Sequence, residues 1–173
     1  TLLDLFSIQE CQGKLEGLKI AFVGDIKYGI AAHSLALACS LFGMRLYFVS
    51  PESLMLPEHI THKIKTTGIK YSFHREIHEV IEKVDIVYML RTQQERFDDP
   101  AEYRRVKNGY ILDAKTVRKG KDSLRILHPL PRVDEIKTEV DDMEQAYYFQ
   151  QAQNGLYVRQ AVLHNLLGGT HGR

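Results

Sequence analysis

The sequence predicts an α/β fold: a doubly wound, mainly parallel sheet of about five strands with helices on both faces, Rossmann-like in its winding. Three observations carry that expectation. Strand-like and helix-like stretches alternate along the chain. Several strand candidates are unbroken apolar runs, as in Ile20-Ala21-Phe22-Val23 and Ile86-Val87-Tyr88-Met89, the pattern of strands buried on both faces. Glycines and prolines fall where the intervening helices would start and stop.

The elements follow in order. Residues 1–12 open as a helix, with Leu2, Leu5, Phe6 and Gln9 on one face and Thr1 able to serve as N-cap. Strand candidates occupy 18–23, 45–49, 70–73, 84–90, 110–112 and 124–127. Helices are expected over 31–42, 57–67, 77–83 and 100–107. Pro57 and Pro100 suit first turns, and Gly43 and Gly68 suit stops. A last helix is expected from Gly155 or Leu156 to Leu167, before a frayed tail. Right-handed crossovers between parallel strands put the ligand site off the strands' carboxyl ends. The loops starting at Gly24, Ser50, Arg91 and His128 are therefore the places to look.

Composition narrows the function classes. The 173 residues are 44% hydrophobic and 26% charged, enough for one domain with a substantial core and no need of disulfide or metal. A formal net charge of +1 gives no global attraction to nucleic acid or anionic membrane, so any anion site is local. Cys11 and Cys39 form no C-x-x-C pair, which points to a reducing compartment. No apolar run approaches the roughly 20 residues that span a bilayer. No signal-like stretch opens the sequence, and the cytoplasm is the expected location. His59 and His62 lie one helical turn apart without cysteine or carboxylate partners, and read as a surface helix rather than a metal site. Neither G-x-G-x-x-G nor a phosphate loop occurs, and nothing resembles a serine or cysteine nucleophile motif.

Three loops hold residues suited to chemistry. After the first strand comes Gly24-Asp25-Ile26-Lys27-Tyr28-Gly29, then a helix start that would favour an anion. On spacing alone, a plain glycine turn is the favoured reading of this loop. His33 beside it suits either site contact or simple capping. After the fourth apolar strand comes Arg91-Thr92-Gln93-Gln94-Glu95-Arg96. Arg91 can pair bidentately with a carboxylate, Gln93 can add an amide, and Glu95 can hold a guanidinium in place. A solvated charged loop is the competing reading. After the last strand comes His128-Pro129-Leu130-Pro131-Arg132. Its prolines lack N–H groups, so it offers mainly carbonyl oxygens to an amine or amide donor; in isolation, a structural proline turn is the favoured reading. Asp141-Asp142 reads as a helix start or acidic turn, and the Tyr147–Gln151 stretch as packing for the final connection.

Taken in order, these segments resemble the C-terminal, aspartate-binding domain of aspartate carbamoyltransferase. The matching stretches are Thr1-Leu2-Leu3-Asp4-Leu5-Phe6, Val23-Gly24-Asp25-Ile26-Lys27-Tyr28-Gly29, Tyr88-Met89-Leu90-Arg91-Thr92-Gln93, His128-Pro129-Leu130-Pro131-Arg132-Val133-Asp134-Glu135 and Tyr148-Phe149-Gln150-Gln151-Ala152 with Asn154-Gly155. The resemblance covers nearly the whole chain, read as a single aspartate-binding domain over 1–173. It implies transfer of the carbamoyl group of carbamoyl phosphate to the amine of L-aspartate, in pyrimidine synthesis, with no cofactor and no metal. It further implies that Arg91 and Gln93 hold a carboxylate and that Glu95 orients Arg91. Lys27 and Tyr28 fall in the substrate-side loop, Pro129 and Leu130 turn carbonyls toward the reacting nitrogens, and His128 and Arg132 support them.

Two departures from the family pattern bear on activity. Ile30-Ala31 stands where the family has Arg-Thr, an arginine for the second aspartate carboxylate. Loss of a charged hydrogen bond of roughly 1.5–3 kcal/mol predicts weaker aspartate binding. The chain is then impaired or silent, or uses another group, or accepts a different amine. The S-T-R-T-R loop and H-P-T-Q segment of the family's carbamoyl-phosphate domain are absent as well. The helices at 1–12 and 156–167 correspond to the pair that bridges to that domain. The chain alone is expected to be inactive, and to work in a homotrimer or higher assembly. A module acting only through subunit association or regulation is the alternative.

Overall fold

The computed structural model describes residues 1–92, 97, 101, 103 and 110–168. Its strands are β1 (Lys19–Gly24), β2 (Arg45–Val49), β3 (Tyr71–His74), β4 (Ile86–Leu90) and β5 (Arg125–Leu127). Its helices are α1 (Leu2–Gln12), α2 (Ile30–Leu41), α3 (Glu58–Thr66), α4 (Ala114–Val117) and α5 (Tyr148–Leu166). All pairings are parallel, in the order β3-β2-β1-β4-β5. The chain winds outward from β1 to β3, then returns to β4 on the other side of β1. The expected doubly wound α/β sheet is therefore present, with its reversal between β1 and β4.

Parallel pairing keeps partners on one face, so strand alternation sorts the core into two layers. Ile20, Phe22, Leu46, Phe48, Ile86 and Tyr88 face one way, under α1, α2 and α3. Ala21, Val23, Tyr47, Val49, Val87 and Met89 face the other, under the turn at 77–81, α4 and the turn at Thr138–Val140. One register row crosses four strands as Phe73, Phe48, Phe22 and Tyr88, with neighbouring ring centroids 5.6–5.7 Å apart. Aromatic rings at that spacing add contact energy to burial. With a core on each face of the sheet, the apolar runs need no polar alternation.

Gly43 and Gly68 close α2 and α3 in the left-handed conformation expected of helix stops. Elsewhere the elements differ from expectation in ways that packing accounts for. The stretch 110–112 supplies only a bridge, Leu112 to Ile136, and 77–83 contracts to a single turn at Ile77–Glu79. Pro57 is the residue before α3 rather than its first helical residue. The expected helix at 100–107 lies almost wholly outside the described residues.

The largest difference is the last helix, which begins at Tyr148 and carries Gly155 inside it. Gly155 lies within the helix, not at its start. A Cβ there would sit 3.5 Å from Leu3 Cδ2 and 2.9 Å from Arg159 Nη1. A polar seam joins α1 to α5: Asn154 donates to Ser7 Oγ at 3.1 Å and to Glu10 Oε2 at 2.6 Å. Gln151 donates to Asp4 Oδ1 at 2.7 Å.

Candidate functional site

At the carboxyl edge of the sheet, the loops after β1, β4 and β5 enclose a cleft of about 300 Å³. It lies at the reversal of strand order, where a doubly wound sheet leaves a crevice between divergent loops.

The first wall is the β1–α2 loop. Gly24 has φ +113, and a Cβ on it would lie 2.3 Å from the Leu90 carbonyl oxygen, so only glycine lets β1 end against β4. Buried Asp25 accepts the Tyr28 N–H at 3.0 Å and closes the turn. His33 Nε2 lies 2.7 Å from the Ile26 carbonyl oxygen. That nitrogen must carry the proton, and the ring ties the loop to α2 instead of facing the cleft. Tyr28, Gly29, Ile30 and Ala31 line the wall. Ile30 is 71% exposed at the mouth. Lys27 does not line the cleft: its ammonium lies 5.1 Å from the Tyr28 ring centroid, and the side chain is exposed.

The second wall is Leu90 and Arg91, with the half-buried Arg91 at the carboxyl end of β4. Gln93 and Glu95 lie outside the described residues. The third wall is His128, Pro129, Leu130 and Pro131. The Leu130-Pro131 peptide is cis, and Leu130 has φ +47. A left-handed conformation on a γ-branched residue costs on the order of 1–3 kcal/mol and persists only where neighbours over-determine it.

Those neighbours are visible. His128 Nδ1 accepts the Leu130 N–H at 2.8 Å. The same ring then carries its proton on Nε2 and donates it to Glu135 Oε1 at 2.7 Å. Glu135 Oε2 accepts the N–H groups of Val133 and Asp134, both at 3.1 Å. The His128 N–H is held by Gln151 Oε1 at 2.8 Å. Burial pushes the Glu135 carboxyl up, but the hydrogen bonds it receives from His128 and the main chain outweigh this and leave it below the usual carboxylate range. Glu135 is an anion inside the loop.

The consequence for the cleft is chemical. Pro129 and Pro131 have no N–H, and the N–H of Leu130 is occupied. The segment can therefore present only carbonyl oxygens, which suit an ammonium, amine or amide donor. With Arg91 on the neighbouring wall, the cleft pairs a carboxylate partner with an amine partner. It can hold an amino acid. Among the described residues, no group of three His, Cys, Asp or Glu side chains could hold a metal ion.

Arg132 points elsewhere. Both its terminal nitrogens pair with the Asp141 carboxylate, and its guanidinium lies 5.5 Å from the Tyr148 ring centroid. The Tyr148 hydroxyl donates to Asp141 too. Hydrogen bonding from Arg132 keeps the Asp141 carboxyl below its usual range despite partial burial. Asp141 lies in a turn, one of the two places expected of it, and from there anchors a guanidinium. Arg132 fastens the far end of the β5 loop to the start of α5 and is not among the cleft-lining residues.

The sequence alone assigns no site role to Asp4, Glu135 or Gln151. Gln151 sits in a recognisable run and Glu135 ends another, but nothing in their spacing says which main-chain group each will meet.

The model of the family "Aspartate/ornithine carbamoyltransferase, Asp/Orn binding domain" matches residues 16–166. The chain is 52% identical over 170 residues to the aspartate carbamoyltransferase catalytic subunit of Chromobacterium violaceum, covering 98% of itself and 56% of that protein. It is 54% identical over 163 residues to catalytic subunit 2 of Shewanella halifaxensis, covering 94% of itself and 52% of the relative. Among solved structures, the catalytic subunit of M. jannaschii aspartate transcarbamoylase superposes with a TM-score of 0.90 at 44% identity, covering 98% of this chain and 56% of that one. The Trypanosoma cruzi enzyme in complex with N-(phosphonacetyl)-L-aspartic acid gives 0.86 at 35%, covering 94% and 53%. The chain thus spans about half the length of the curated relatives it matches.

Proposed function

This chain belongs to the aspartate/ornithine carbamoyltransferase family through its Asp/Orn binding domain, and from that premise we propose that it is the amino-acid-binding half of an aspartate carbamoyltransferase. The observation that carries the reading is the cleft's pairing of Arg91 with a carbonyl-only edge over Pro129–Pro131. Arg91 takes a carboxylate of L-aspartate, joined by Gln93, with Glu95 orienting the guanidinium. The carbonyls of Pro129 and Leu130 receive the N–H groups of the amine and of the carbamoyl nitrogen. Lys27 and Tyr28 belong to the aspartate-side loop.

The amine nitrogen attacks the carbamoyl carbon of carbamoyl phosphate. A C–N bond forms, the C–O bond to phosphate breaks, and phosphate leaves with the amine's surplus proton. Fixing the amine by acceptors, with no covalent enzyme intermediate, makes the rate gain one of orientation. Carbamoyl phosphate is held by a second, amino-terminal domain.

The interface follows from the exposed apolar face of α1 and α5. Leu2, Phe6, Leu163 and Leu166 are exposed there, and a groove of about 540 Å³ runs between the two helices. Apolar exposure on this scale favours coverage by another protein surface. We assign 1–12 and 156–167 to bridging toward the carbamoyl-phosphate domain, in a trimeric or higher assembly working in the cytoplasm. A second reading, a silent module acting through association, draws on Ile30, which offers no charge at the cleft mouth.

Calorimetry with N-(phosphonacetyl)-L-aspartate decides between them, on this chain joined to the carbamoyl-phosphate domain of a relative. Saturable binding supports the enzyme; no binding would sink it in favour of the silent module.

A further inference from the structure

Leu130 holds a left-handed main-chain conformation at the cleft wall, and a chain of buried polar groups leads away from it in two directions. Toward the loop's interior, its N–H ends on His128 Nδ1 at 2.8 Å, a bond that requires the ring proton to be on Nε2. Glu135 accepts that proton's hydrogen bond at 2.7 Å, so its carboxylate selects the tautomer that can receive the Leu130 N–H. Toward the helices, the His128 N–H ends on Gln151 Oε1. The Gln151 amide has no freedom to flip, because its nitrogen must donate to the Asp4 carboxylate at 2.7 Å. Tyr88 donates to the same Asp4 oxygen at 3.3 Å. Asp4, His128, Glu135 and Gln151 are all buried.

We propose that Glu135 and Gln151 are positioning residues of the cleft, acting through the ring and the main chain of His128 to keep the carbonyl edge of Pro129–Pro131 turned to the bound amine. Glu135 sets the tautomer. Gln151, itself oriented by Asp4, anchors the strand end from which the edge departs. The amine in this statement rests on the carbamoyltransferase reading; the tautomer and the anchoring do not. Neither residue touches the ligand. The α1–α5 seam, where Gln151 and Asp4 meet, thereby becomes part of the site's support.

The test uses the 15N-labelled 173-residue chain, reading the His128 ring nitrogens, the His128 and Leu130 amide protons, and the Kd for L-aspartate by titration. The native ring is expected as a single tautomer protonated on Nε2. Glu135→Gln, whose amide can also donate, is expected to give mixed tautomers and an upfield shift of the Leu130 amide proton. Gln151→Leu is expected to leave the ring unchanged but move the His128 amide proton upfield. Each raises the Kd about tenfold, the scale of one lost hydrogen bond. Gln151→Glu combined with Asp4→Asn reverses donor and acceptor, and is expected to restore both the His128 amide shift and the affinity. This rescue separates positioning from general loss of fold, and stands in if Gln151→Leu does not fold.

A native ring protonated on Nδ1, or variants whose Leu130 and His128 amides and affinity match the native chain, would overturn the proposal. Native chain that binds no aspartate, yet shows the ring and amide changes in the variants, keeps the positioning and removes the amine reading.

Discussion

Ile30 and Arg91 line one cleft, and they divide the question of substrate between them. Arg91 follows directly on a buried strand, so the sheet itself brings the residue to the cleft. Replacing it with lysine keeps the charge and removes the planar fork. We expect aspartate affinity to fall roughly 10–100-fold; calorimetry at fixed ionic strength measures it, and an unchanged affinity would place the carboxylate elsewhere. Ile30 offers only apolar surface at the mouth. Ile30→Arg is expected to tighten aspartate binding by about tenfold or more, the worth of one charged hydrogen bond. Succinate, which has both carboxylates but no amine, should gain by the same factor. A gain for neither ligand would mean that the loop does not approach the second carboxylate.

At the scale of elements, the ends of the strands matter more than their middles. Gly24 lets β1 stop against the Leu90 carbonyl with φ +113, and no side chain fits there. Gly24→Ala should cost roughly 2–4 kcal/mol, read as a lower denaturant midpoint with an unchanged slope; a loss under half a kcal/mol would show that β1 and β4 can separate locally. The final helix makes the opposite point about glycine. Spacing suggested a start at Gly155, since glycine is a poor interior residue. The helix instead runs through it, because this stretch packs along α1. The amides that draw the two helices together, Gln151 and Asn154, lie on the same stretch. Local propensity lost to tertiary contact, and the physical cause was burial of polar groups that only a second helix could satisfy.

Across the whole molecule, two buried or partly buried carboxylates fasten the β5 loop, Glu135 by His128 and the main chain, and Asp141 by Arg132 and Tyr148. Both are held below their ordinary values of 4.5 and 3.8. A folded-state pKa lower than the unfolded one adds stability above the unfolded value, and that contribution vanishes as pH falls through the folded one. Melting temperature should therefore drop as pH falls below those ordinary values, and Asp141→Asn should flatten that dependence while lowering stability at neutral pH. The exposed apolar face of α1 and α5 sets a further expectation: Leu163→Asp should reduce self-association in sedimentation experiments without altering the helical circular dichroism signal. Among the described residues, no helix is long and apolar enough to cross a membrane.

The parallel sheet was legible from residue order, because continuous apolar runs such as Ile20–Val23 have no other stable place than a sheet covered on both faces. The three cleft loops were legible for a related reason: ligand sites in such sheets lie off the strands' carboxyl ends, and Arg91 and His128 follow directly on buried strands. The strand order, the early start of α5 and the departure of Arg132 to Asp141 were not legible, since each depends on residues distant in sequence. The carbonyl-only character of Pro129–Pro131 was half visible, in its prolines. The other half required His128 to take up the Leu130 N–H, with Glu135 and Gln151 behind it. A residue's type states what it can bond; only the folded chain decides which partner arrives, because a buried polar group accepts whatever donor the packing delivers.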